Sequence, residues 1–147
     1  NSFGRIIIMT RREIREHLFC MLFETGFHDE HEFEEQYLMY WSTKDDEPSE
    51  EEHEEIKSKL KAVKGRISDI DPLIEKNAKG WKLNRIGNAD LNILRLAIYE
   101  MLYDEHVPIK VAINEAVELA KKYGTDNSAS FINGILANVY EQSEEGK

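Results

Sequence analysis

Apolar residues three and four positions apart recur along almost the whole chain, and this spacing restricts the fold more than any other feature of the sequence. The clearest run is Ile56, Leu60, Val63, Ile67 and Ile70, which lies along one side of a helix but on no single face of a strand. Similar stripes are Ile14, Leu18, Met21 and Leu22, then Phe33, Tyr37, Tyr40 and Trp41, and, further on, Leu91, Leu94, Ala97, Ile98, Met101 and Leu102. Two more follow, Ile113, Ala116, Val117 and Ala120, and Phe131, Ile132, Ile135, Leu136 and Val139. No segment alternates as a strand does, and no repeat period is visible. The expected fold is all-α, two small three-helix subdomains packed together.

Helix punctuation supports this division. Thr10-x-x-Glu13 and Ser49-x-x-Glu52 have capping-box spacing, and Gly26 is placed to end the first helix. A second helix is predicted from Asp29 to about Ser42, followed by a polar loop, Thr43 to Pro48. Asp71-Pro72 reads as an N-cap with proline at the first helical position, opening a short helix that Gly80 closes. Three more helices are expected, from Asn88 to Asp104, from Val107-Pro108 to Gly124, and from Asn127 to Gln142. The resulting division is an N-terminal subdomain over 9–82, with an arginine-rich first helix, and a C-terminal subdomain over 83–147. Residues 1–8 precede Met9 and read as a tag or an upstream extension.

Composition narrows the chemistry. A single cysteine, Cys20, among 147 residues excludes an internal disulfide framework and a multi-cysteine zinc site, and fits a reducing, cytoplasmic setting. No stretch approaches the roughly 20 apolar residues of a membrane span. The net charge of −10 argues at first against a nucleic-acid partner. It is unevenly spread, however: between Asp29 and Glu55 thirteen carboxylates face only Lys44, so the rest of the chain is mildly basic.

Few groups invite catalysis. Glu50-x-x-His53 has the carboxylate–imidazole spacing of di-iron bundles, but it occurs once, and it reads as a solvated, dipole-complementing helix start. His28-x-x-His31 lacks a third ligand and reads as a surface pair. His17 and Cys20 share a helix face that is otherwise apolar, which favours a boundary histidine beside a buried thiol over a nucleophile and base. Phosphate-cradling glycine loops and a nucleophile elbow are absent, so no metal, cofactor or catalytic residue is assigned. Arg11, Arg12 and Arg15 are more informative. They crowd one side of a helix start, where the dipole favours acids, and so point either to pairing with Glu13 and Glu16 or to RNA contact. Lys121-Lys122-Tyr123 closes a helix, where cations are ordinary.

Longer motifs add to this. Trp81-x-Leu83-x-Arg85-Ile86 is followed by Ile93-Leu94-Arg95-Leu96-Ala97-Ile98-Tyr99-Glu100, by Val107-Pro108-x-Lys110-Val111-Ala112-Ile113-Asn114-Glu115, and by Phe131-Ile132-Asn133-Gly134. Together with Arg11-Arg12-x-x-Arg15-Glu16, these runs resemble the NusB family of bacterial transcription antitermination factors from about Thr10 to Tyr140. The resemblance implies a non-enzymatic protein that binds boxA-type ribosomal RNA leader sequence with NusE, a ribosomal small-subunit protein, and loads an antitermination complex onto RNA polymerase. It further implies that Arg11, Arg12 and Arg15 start the RNA-binding segment, that Phe23 serves near RNA on the same helix, and that Lys121, Tyr123, Asn127 and Phe131 complete the surface. The same fold also occurs as an RNA-binding appendage of ribosomal-RNA cytosine methyltransferases. Two other readings come from the residues themselves, a metal-dependent helical-bundle enzyme using Glu50 and His53, and a homodimer burying the arginine face.

Overall fold

Thr10 and Ser49 each begin a helix through the reciprocal bonds their spacing predicts. The Glu13 N–H donates to Thr10 Oγ1 at 3.0 Å while Glu13 Oε1 accepts from the Thr10 N–H at 2.8 Å. Glu52 and Ser49 repeat the exchange at 3.1 and 2.9 Å. The computed structural model describes residues 8–25 and 30–143. In chain order these form α1 (Arg11–Thr25), α2 (Glu30–Ser42), α3 (Glu50–Asn77), a 3-10 turn (Leu83–Arg85), α4 (Asn88–Tyr103), α5 (Ile109–Tyr123) and α6 (Ser128–Gln142). Every regular element among the described residues is helical, as the periodicity predicts. The extension before Ile8 and the His28 half of the histidine pair lie outside the described residues.

The chain divides into two compact units, one running to Ala62 and one beginning at Val63, so the division falls within α3. In the first unit the inner stripes of α1 and α2 bury Leu18, Phe19, Met21, Phe33, Tyr37, Tyr40 and Trp41 with Ile56 and Leu60 of α3. Aromatic rings dominate this core. Each buried large side chain contributes about 1.5–3 kcal/mol of transfer free energy, so burial rather than helix propensity holds these short helices.

The acidic run is not simply a solvated face. Glu52 Oε2 accepts the Met9 N–H at 2.9 Å, Glu34 pairs with Lys57 at 3.1 Å, and Glu55 pairs with Arg11 at 2.7 Å. Glu50, Glu51 and Glu54 are exposed as expected of a solvated helix start, but His53 among them is not simply solvated. Its Nδ1 accepts the Tyr37 hydroxyl at 2.6 Å and its ring packs edge-on against Trp41. The reason is non-local: α2 brings its aromatic stripe against this turn of α3, and a ring nitrogen satisfies a buried hydroxyl that water cannot reach.

In the second unit α4, α5 and α6 pack pairwise on one another and bury Ile93, Leu94, Leu96, Ile98, Ala116, Ala120, Ile132 and Leu136. The expectation that Asp71-Pro72 opens a separate helix is also overturned, because α3 continues through Pro72 to Asn77. Asp71 does not cap; its two oxygens take the Arg95 guanidinium at 2.9 and 2.8 Å. An interior proline costs about 3 kcal/mol, which the full burial of Ile70 and Ile74 on either side offsets at about 1.5–3 kcal/mol each. Lys79 and Gly80 then follow α3 with φ of 43° and 92°, a left-handed pair that turns the chain and that glycine adopts at little cost.

Candidate nucleic-acid interface

The sequence-predicted residues fall into two groups, one in each unit. In the first, the α1 capping box uses Glu13 to close the helix start, so this acid turns back toward Thr10. Arg11 instead reaches 44 residues along the chain to Glu55, with its guanidinium at 3.3 and 2.7 Å from the two oxygens. The side chain remains 82% exposed, so the pair is a surface one of at most about 1 kcal/mol. Arg12 is exposed beside it. Arg15 is placed differently, since only 9% of it is exposed and it lies on the side of α1 that carries Ile14 and Leu18. The three arginines therefore do not crowd one exposed face. Phe23 is exposed and stacks on Phe19, ring centroids 5.8 Å apart at 26°.

The second group surrounds the turn from α5 to α6. Gly124 ends α5 by donating its N–H to the Ala120 carbonyl at 2.8 Å. A Cβ there would overlap the Ser128 side chain and approach the Ala120 carbonyl at 2.8 Å, so the turn requires glycine for space. Ser128, almost fully buried, accepts the Thr125 N–H on its Oγ at 2.8 Å while its own N–H donates to the Thr125 carbonyl at 3.1 Å. This locked turn positions the candidate residues. Lys121 is exposed and pairs with Glu118 at 3.2 Å, Lys122 lies 5.5 Å over the half-buried Tyr123 ring, and Asn127 is exposed. The Asn127 carbonyl accepts the Phe131 N–H at 3.1 Å.

Sequence reasoning missed one residue of this group. Trp81 is 53% exposed and meets Phe131 edge-on, centroids 6.3 Å apart at 71°. It follows the Gly80 turn, between Lys79 and Lys82, outside every apolar stripe. A large ring with no stripe to join is the signal that could have marked it. Exposed rings beside cations form the kind of surface on which unstacked bases pack, whereas ring faces buried in a core cannot. No group of three or more His, Cys, Asp or Glu side chains among the described residues is arranged to hold a metal ion. Among the described residues no helix is long and apolar enough to cross a membrane.

Comparison with known proteins bears on what this surface belongs to. Residues 12–141 match the NusB family. The transcription antitermination protein NusB of Lachnoclostridium phytofermentans is 52% identical over 133 residues, covering 90% of this chain and 100% of that protein. The solved NusB of T. maritima superposes with a TM-score of 0.76 at 35% identity, covering 92% of this chain and 94% of that one. A third structure, of the antitermination factors NusB and NusE in complex with dsRNA, gives a TM-score of 0.75 over 90% of this chain and 97% of that one; its 24% identity supports the fold alone. With the helical fold and the family match both spanning nearly all of the described residues, the chain belongs to the NusB family.

Proposed function

We propose that the chain is a non-enzymatic RNA-binding adaptor of transcription antitermination, acting in the cytoplasm. It takes boxA-type ribosomal RNA leader sequence together with a NusE-type ribosomal small-subunit protein, for assembly on RNA polymerase. The observation that carries this reading is the exposure of Arg11 and Arg12 at the start of α1, within a chain 52% identical to a transcription antitermination protein. Guanidinium groups on a helix start, where the dipole gives them nothing, suit phosphate, and their fork geometry allows bidentate contact. Tyr123, Phe131 and Trp81 offer ring surfaces for bases, and Lys121 supplies a further cation.

The chain's net charge of −10 holds intrinsic RNA affinity low, which gives the protein partner its role. A partner that binds alongside RNA adds surface and cations, and by linkage each ligand tightens the other. Titrating boxA-type RNA with and without a NusE-type partner tests this. The partner is expected to tighten RNA binding by about 5- to 150-fold, the usual range of coupled sites. Equal affinity in both titrations would overturn cooperative loading, and no RNA binding in either would overturn the RNA role itself.

A further inference from the structure

The outer face of α2 is built unlike the rest of the first unit. Phe33, Tyr37, Tyr40 and Trp41 turn inward, while Leu38 and Met39 stand 64% and 67% exposed side by side. Glu35 lies one turn before both, Glu32 one turn before Glu35, and all four residues are exposed. Beyond the apolar pair comes the carbonyl end of α2, whose last turn carries no basic residue, so the pair has carboxylates on one side and the negative end of the helix dipole on the other. Nearby lysines are committed to the packed side. Lys57 pairs with Glu34 and lies 5.0 Å over the Tyr37 ring, Lys61 lies 4.8 Å over Phe33, and Lys44 lies 4.6 Å over Tyr40.

We propose that this face docks a basic polypeptide segment of another protein, one that sets apolar side chains against Leu38 and Met39 and lysines or arginines against Glu32, Glu35 and the carbonyl end of α2. Charge selects the occupant. RNA would bring phosphates against carboxylates, and a second copy of this chain would bring the same carboxylates, so both meet like-charge repulsion at the rim. A cationic segment meets complementary charge at both ends and an adaptable thioether at the centre. The surface is separate from the arginines of α1 and needs no RNA, so it stands whether or not the RNA reading does.

The test uses the full chain, isotopically labelled, titrated with a short helical peptide of lysine, leucine and alanine and with its counterpart carrying glutamate for lysine. Backbone amide shifts are expected to centre on α2 for the lysine peptide and to be absent for the glutamate one. Leu38→Ser with Met39→Ser, a surface change whose retained fold is checked by thermal melting, is expected to weaken binding about tenfold or more. Glu32→Lys with Glu35→Lys is expected to reverse the preference between the peptides. Shifts centred elsewhere, or binding unchanged by the double serine variant, would overturn the proposal in favour of diffuse charge attraction. Shifts on α2 with single-stranded RNA would overturn it, as would a peptide-free dimer that the serine variant dissolves.

Discussion

Asp46 and Glu47 adjoin in the chain yet face histidines on two different helices. Asp46 lies 3.2 Å from His17 Nε2 on α1, and Glu47 lies 3.6 Å from His53 Nε2 on α3. A carboxylate only accepts, so His17 Nε2–H donates to Asp46, while Nδ1 shares a hydrogen bond with the Tyr40 hydroxyl at 2.7 Å. His53 uses Nδ1 in the same way for Tyr37, and Trp41 packs against both imidazoles. The loop between α2 and α3 is thereby fastened at two points to the aromatic face of α2.

Tyr37→Phe removes the hydroxyl that His53 Nδ1 accepts and leaves a half-buried nitrogen without its partner. Such a loss costs about 1–3 kcal/mol. Urea unfolding is expected to show that decrease, with little change for Asp46→Asn, whose amide oxygen still accepts from His17 Nε2.

Alkaline pH acts on the same hydroxyl. Burial, with the charges of Glu34 and Glu47 adding to it, pushes Tyr37 up from 10.0 to about 12. Because the folded value is raised, its contribution to stability is complete below pH 10.0 and is lost as pH climbs through about 12. Melting temperature followed over that interval is expected to fall more steeply for the natural chain than for Tyr37→Phe. Parallel curves would refute the assignment.

Acid acts on Glu52. The Ser49 N–H, and after it the Met9 N–H, hold this carboxyl below its ordinary 4.5. A depressed value stabilises above the unfolded pKa and is lost as pH falls through the folded one. Glu52→Ala is expected to cost about 0.5–2 kcal/mol at neutral pH, as cap losses do, and to flatten the decline of stability below pH 4.5. Melting curves of both proteins at neutral and acid pH check both effects.

These acids show where the sequence was legible and where it was not. Thr10-Glu13 and Ser49-Glu52 are contacts over three residues, fully specified by local spacing, and the helices they start appear where expected. His53 with Tyr37, Asp46 with His17 and Arg11 with Glu55 join residues 16, 29 and 44 positions apart. Only the packed helices bring these together. Pro72 was misread because proline chemistry suggests a helix start, while the burial of Ile70 and Ile74 decides for continuity. Helical spacing groups Arg15 with Arg11 and Arg12 on one side of α1, yet Arg15 is buried while the other two are exposed, because packing rather than spacing decides how much of that side the core covers.

Gly124→Ala tests the turn that carries the second group of candidate residues. The added methyl overlaps Ser128 and the Ala120 carbonyl. Overpacking of this kind costs about 1–3 kcal/mol, and relief requires the turn to move. Ser128→Ala, which removes the acceptor for the Thr125 N–H, is expected to cost about 1 kcal/mol without a clash. Thermal melting ranks the two. If both are stable and RNA affinity is unchanged in both, the turn does not position the RNA-contacting residues.

The arginines of α1 separate by burial, and their variants should separate likewise. Arg11→Ala and Arg12→Ala remove exposed guanidiniums, so stability should change by less than about 1 kcal/mol. If each touches phosphate, RNA binding weakens across sequences and the salt slope falls by about 0.7 per contact on single-stranded RNA. Arg15→Ala removes a buried stem instead, so it should destabilise the fold by more than about 1 kcal/mol while leaving the slope where it was. Glu55→Gln supplies the converse. By releasing Arg11 from its carboxylate partner it should tighten RNA binding and leave the Arg11→Ala protein unaffected. Salt-dependent RNA affinity and melting temperature measured on all four variants decide the matter, and unchanged affinity in both Arg11→Ala and Arg12→Ala would refute phosphate contact by this helix start.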